Sequence, residues 1–140
     1  MPRLGLSRQA LLHPRSVAGR FAPPLALMAL IFAFSAQPDL NSGLGVVDLV
    51  GRKLIHAIDY GVLFLLWLRA LGWRAPAAAA LVTVLYAASD EYHQTFVEGR
   101  HGTATDVAID AAGVAVAWAV SRGGRRWRPE PTGPEGPQAG

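Results

Sequence analysis

Nine residues of this chain have types that support chemistry, Lys53, His56, Tyr60, Asp90, Glu91, Gln94, Arg100, Asp106 and Asp110, and helical spacing groups all but Glu91 and Arg100. At about 100° per residue, Lys53, His56 and Tyr60 fall on one narrow helical stripe, at i, i+3 and i+7. Tyr86, Asp90 and Gln94 form a second stripe, and Asp106, Asp110 and Gly113 a third. Three such stripes on adjacent helices would line one cavity. Glu91 or Asp90 would serve there as general acid or base, His56 as its proton partner, and Arg100 or Lys53 as the holder of an anionic group such as a phosphate. A nucleophilic triad is weak, because the chain has no cysteine and only Ser35 and Ser89 lie near these residues. A divalent metal is a further option: His56, Asp90, Glu91, His93, Asp106 and Asp110 carry the nitrogen and oxygen donors of a zinc or manganese site, or oxygens for magnesium. No zinc-type local spacing supports it, since His-Glu-x-x-His is absent and Glu91 and His93 stand about 200° apart on a helix. The structural alternative is that the acids form buried ion pairs that only specify packing, such as Lys53 with Asp110 or Arg100 with Asp106. His93 and His101 read equally well as ordinary polar residues.

The elements that must position these residues are apolar. The chain has 140 residues, 51% hydrophobic and 16% charged, with a mean hydropathy of +0.26, more apolar surface than a soluble core of this size hides. That excludes a disordered chain and argues against a water-soluble globule. The apolar residues fall into four blocks, at residues 21–37, 53–71, 76–96 and 105–121, separated by a Gly/Asp/Asn-rich connection over 38–51 and by short polar turns. The uncharged stretch 77–89 would rise only about 20 Å against a hydrocarbon thickness of about 30 Å. The third helix must therefore continue through Asp90 to Gln94, and the fourth must start by Asp106. Ionisable groups at that depth face one another, water or a ligand rather than lipid. The first block also fits a secretory signal peptide, although no soluble mature domain follows it.

Nine of the thirteen basic residues lie at the two ends or in the connection after the second block. A nucleic-acid partner would need a basic face on a soluble fold, so none is expected; the positive-inside rule puts both termini in the cytoplasm. Trp67, Trp73, Trp118 and Trp127 gather toward the same ends, as interface anchors do. With four antiparallel spans, the chemistry-bearing residues then meet at the outer face. The bilayer is one partner, and a lipid-linked or amphiphilic envelope ligand would be the other. A non-enzymatic cavity that binds an amphiphile or lipid head group would use Arg52, Lys53 and Arg100 beside Tyr60, Tyr86 and Tyr92. A proton-coupled transporter is disfavoured by the Ala, Leu and Val of the inner halves.

The stretch SDEYHQTFVEGRHGTATDVAIDAAG at 89–113 resembles the third- and fourth-helix motif of VanZ-like membrane proteins. FSAQP at 34–38 and KLIHAIDYGVL at 53–63 are similar to that family's first-helix ending and second-helix Lys, His and Tyr. The resemblance spans about residues 29–119. It implies an all-α, polytopic inner-membrane protein of four transmembrane helices, associated with the envelope, in a family named for a member linked to resistance to the lipoglycopeptide teicoplanin. It implies no reaction. The family often has Asn where this chain has Asp110, a departure that favours cation binding over a simple amide hydrogen bond. The expected organisation is a cytoplasmic basic segment at 1–20, a VanZ-like four-helix membrane domain at 21–121, and a basic, then Pro/Gly-rich, disordered tail at 122–140 whose last residues, 129–140, read as dispensable. Ala108, Ala111, Ala112 and Ala115 suit either packing within the bundle or self-association, which leaves the oligomeric state open.

Overall fold

A computed structural model describes residues 16–38 and 45–126, all helical, with no strand among them. The four helices are α1 (Val17–Ser35), α2 (Val46–Ala70), α3 (Pro76–Gln94) and α4 (Ala104–Arg126). Ser16 starts α1 as an N-cap, its Oγ accepting from the Gly19 amide at 3.0 Å. Pro23 and Pro24 lie inside this helix, and Pro23 has no N–H to give the Gly19 carbonyl. The Arg69 guanidinium reaches that carbonyl instead, at 3.5 Å. Arg20 answers in the other direction and donates from Nε and Nη2 to the Ala70 carbonyl at 3.0 and 2.6 Å. The start of α1 is thereby tied to the end of α2.

The second helix begins earlier than the sequence suggests. Much of the expected connection over 38–51 is helix from Val46 onward, and residues 39–44 lie outside the described chain. Gly45 enters the helix at φ 56°, a conformation that favours glycine. Asp48 sits in the first turn, where the helix dipole favours an acid, and pairs with Arg52 one turn on at 3.2 Å. Helix α4 departs at its other end and continues through Arg126 rather than stopping near Ser121; the expected tail beyond it is outside the described residues. Helix α3 runs through Asp90 to Gln94, and α4 starts two residues before Asp106, both as the span-length argument requires.

Helix α2 is the hub and packs against the other three; α3 also packs against α4. Its buried stripe is Tyr60, Leu63, Phe64 and Leu68, and α3 meets it with Ala79, Thr83 and Ala87. Small residues on α3 let the large ones of α2 fill the core. Between α2 and α4 the backbones themselves touch. A Cβ on Gly113 would run into the Ala57 carbonyl, and one on Gly61 would stand 3.1 Å from the Gly113 carbonyl oxygen. Phe64 and Trp118 stack beside this contact, ring centroids 6.0 Å apart. The exterior is apolar: Leu25, Leu30, Phe34, Leu54, Ile58, Leu81, Leu85 and Val120 are all exposed. Two helices, Val17–Ser35 and Ala104–Gly124, are long and apolar enough to cross a membrane.

Two glycines of α4 should respond with opposite sign. Gly113→Ala forces the α2 and α4 backbones apart and should cost about 1–3 kcal/mol. Gly123→Ala, whose Cβ meets nothing within 4 Å, should be neutral or stabilising by up to about 1 kcal/mol. Unfolding midpoints in detergent check both.

Candidate functional site

The site is built on a buried carboxylate. Asp90 is 1% exposed, and its Oδ2 accepts from Ser35 Oγ at 2.7 Å, Tyr60 OH at 3.1 Å and Gln94 Nε2 at 3.2 Å. One acid thus joins α1, α2 and α3. Its Oδ1 has no hydrogen-bond partner. Tyr86, one turn earlier, donates to the Met28 carbonyl at 2.6 Å and fixes α1 again.

The next residue of α3 turns toward α4. Glu91 is also buried; its Oε1 accepts from Gln94 Nε2 at 3.4 Å and its Oε2 from the Thr103 amide at 3.3 Å. Thr103 is the cap of α4: its Oγ1 accepts from the Asp106 amide at 3.2 Å and donates to Asp106 Oδ2 at 2.6 Å. The preceding Gly102 is needed because a side chain there would strike the Glu91 carbonyl. Asp106 carries a second partner, the Lys53 ammonium of α2. One turn deeper, Asp110 is 1% exposed and its Oδ2 has no partner.

His56, Glu91 and Asp110, one from each of α2, α3 and α4, bring a ligand atom each to within 4.8 Å of one another. They face a cavity of about 200 Å³ whose wall also includes Lys53, Gln94, Arg100, His101 and Asp106. A second cavity of about 350 Å³ lies alongside. It is lined by Leu27, Leu30, Ile31, Phe34 and Ile55 together with Ser35 and Asp59, and it shares Arg52, His56 and Arg100 with the first.

Of the nine residues singled out from the sequence, seven line the polar cavity: Lys53, His56, Glu91, Gln94, Arg100, Asp106 and Asp110. Asp90 and Tyr60 are absent from its wall and are spent on each other. The ion pairs weighed from sequence are rearranged. Lys53 pairs with Asp106 rather than Asp110, and Arg100 donates to the Gln37 and Phe34 carbonyls, at 2.9 and 3.4 Å, rather than to Asp106. Arg100 so closes the C-terminal end of α1, where carbonyls lack helical partners. His93 stacks on Phe32 with centroids 4.3 Å apart, away from the cavity, and His101 is exposed at its edge. Tyr92 is exposed beside Phe96, so the three tyrosines do not form a shared cradle. Sequence reasoning missed Thr103, although the signal was present, since Thr103 and Asp106 have the spacing of a helix-capping pair.

The described residues thus form a helical bundle with two helices long and apolar enough to cross a membrane and with Asp90, Glu91 and Asp110 buried inside it. The model of one family, VanZ/LLP1, matches residues 16–124, and the chain belongs to that family. No curated protein and no solved structure matches it.

Each donor to Asp90 should matter to stability. Tyr60→Phe should cost about 1–3 kcal/mol by removing a hydrogen bond to a buried charge. Equilibrium unfolding in detergent, compared with Tyr92→Phe at an exposed position, measures it.

Proposed function

We propose that this chain is a multi-pass protein of the inner (plasma) membrane, with four spans and both termini cytoplasmic. In this reading its cavity takes an anionic amphiphile or lipid-linked envelope molecule from the outer leaflet and acts on it by proton transfer, in a role tied to glycopeptide resistance of the teicoplanin type. The observation that carries this is the pair of adjoining cavities. One is acid- and histidine-lined; the other is walled mainly by leucine, isoleucine and phenylalanine, with Ser35 and Asp59 on its wall, and His56, Arg52 and Arg100 stand where they meet. That division matches a molecule with a polar head and an apolar tail. The apolar cavity follows α1 from Phe34 back to Leu27, about 10 Å along the helix axis, the direction a chain takes as it descends from the head-group zone.

Helices α2 and α3, with 25 and 19 residues, reach about 37 and 28 Å, enough for a span. On α3 the acids Asp90 and Glu91 are buried within the bundle, as expected of ionisable groups within a membrane. The topology follows from the basic flanks. It predicts that in this cysteine-free chain a His101→Cys variant reacts with an impermeant maleimide applied outside intact cells, and an Arg122→Cys variant does not.

Within the polar cavity, Glu91 is the candidate acid or base and His56 its proton partner. Thr103 and Gln94 each engage one Glu91 oxygen and so hold the carboxyl in place. A teicoplanin-sensitive host expressing the chain should gain resistance and should lose it with Glu91→Gln at matched membrane levels, because the amide keeps the shape and removes the proton-transfer group. Resistance that survives the substitution would assign the cavity to binding without chemistry, with Arg52, Lys53 and Arg100 as the head-group contacts. No resistance from the wild type would remove the link to glycopeptides.

A further inference from the structure

We infer that His56, Glu91 and Asp110 form a binding site for one divalent transition-metal ion, of the zinc or manganese class, at the floor of the polar cavity. The site shares that cavity without depending on its substrate, but it is an alternative use of two residues assigned above: His56 and Glu91 cannot ligate an ion and exchange a proton at the same time, so with the ion bound they are ligands and not the proton-transfer pair.

Three helices contribute one donor each, and the three ligand atoms lie within 4.8 Å of one another. Three ligands placed tetrahedrally at about 2.1 Å from one ion stand about 3.4 Å apart, so these donors must draw together by up to about 1.4 Å through side-chain rotation. The second observation is independent of the cluster: Asp110 is 1% exposed and its Oδ2 has no hydrogen-bond donor. A carboxylate oxygen removed from water with nothing to bond is costly, and this one belongs to a residue of the cavity wall. Charge points the same way. Of the cations on the cavity wall, Lys53 is paired with Asp106 and Arg52 with Asp48, while Arg100 is held by two carbonyls, which leave its charge in place. Glu91 and Asp110 in their carboxylate forms would offer a divalent ion negative charge beside a neutral imidazole.

The donor set selects the metal. An imidazole with two carboxylates suits zinc or manganese, whereas magnesium prefers oxygen donors and retained water. Hydrogen bonds from Gln94 and the Thr103 amide already orient Glu91, the support that ligands of a metal site usually have. Three protein ligands leave a coordination position open, as in metal sites that act on a ligand.

The test uses the full chain in detergent, stripped with a chelator and titrated with Mn2+ while free ion is counted by electron paramagnetic resonance. One equivalent per chain should bind, Zn2+ should displace it, and electron spin-echo modulation should show a coordinated imidazole nitrogen. Asp110→Asn and His56→Gln should weaken binding at least about tenfold, and His93→Gln, outside the cavity, should leave it unchanged. Absence of stoichiometric binding to the wild type, absence of the nitrogen signal, or undiminished binding by folded Asp110→Asn would overturn the site. Because the wild type alone gives the first two readouts, a variant that fails to fold does not rescue the proposal. A chain that binds metal but confers no resistance would sink the glycopeptide reading and leave this site standing.

Discussion

The buried Asp90 carboxylate is the constraint around which the bundle is arranged. A charge taken out of water needs donors, and these come from Ser35 on α1, Tyr60 on α2 and Gln94 on its own helix. Satisfying one acid therefore sets the rotation and height of three helices together. Glu91, the next residue, is carried about 100° round α3 toward α4, where the Thr103 amide meets it. The acid that fixes the scaffold and the acid that faces the cavity are thus neighbours in sequence with different duties.

Charge in the upper half of the bundle is divided in the same way. Lys53 and Asp106 neutralise each other and Thr103 braces the pair, while His56, Glu91 and Asp110 are left without a cation of their own. Arginines do a different job. Arg20 at one end and Arg100 at the other cap the carbonyls that end α2 and α1. The guanidinium suits this work because it stays charged and offers several donors in a fixed plane.

Helical spacing made much of this readable. The pairs Lys53 with His56 and Asp106 with Asp110 line the cavity as their stripes imply, whereas on α3 Gln94 does so beside Glu91, and Asp90 and Tyr60 are turned to each other; the stripe of α4 meets α2 at Gly113. The third helix was fixed by length, since residues 77–89 alone are too short to cross hydrocarbon. Partner choice was not readable, because spacing gives a residue's angle round its helix and not the axial offset between two helices. That offset decides that Lys53 meets Asp106 and not Asp110. The start of α2 was hidden for another reason: Val46 to Val50 lies among Gly, Asp and Asn residues that read as loop, and only the positive φ of Gly45 and the Asp48–Arg52 pair reveal a helix. Multi-pass insertion and the reaction itself rest on proposals.

The contact between Gly113 and Ala57 has a mechanical meaning. No side chain separates the two backbones there, so α2 and α4 form a pair with no slack to part. Helix α1 is attached differently, by side-chain hydrogen bonds through Arg20, Ser35, Tyr86 and Arg100 and by Ile31 in the core. One seam of the bundle is thus set by backbone against backbone and the other by side chains, so a change of side chain re-spaces α1 more readily than it re-spaces α4.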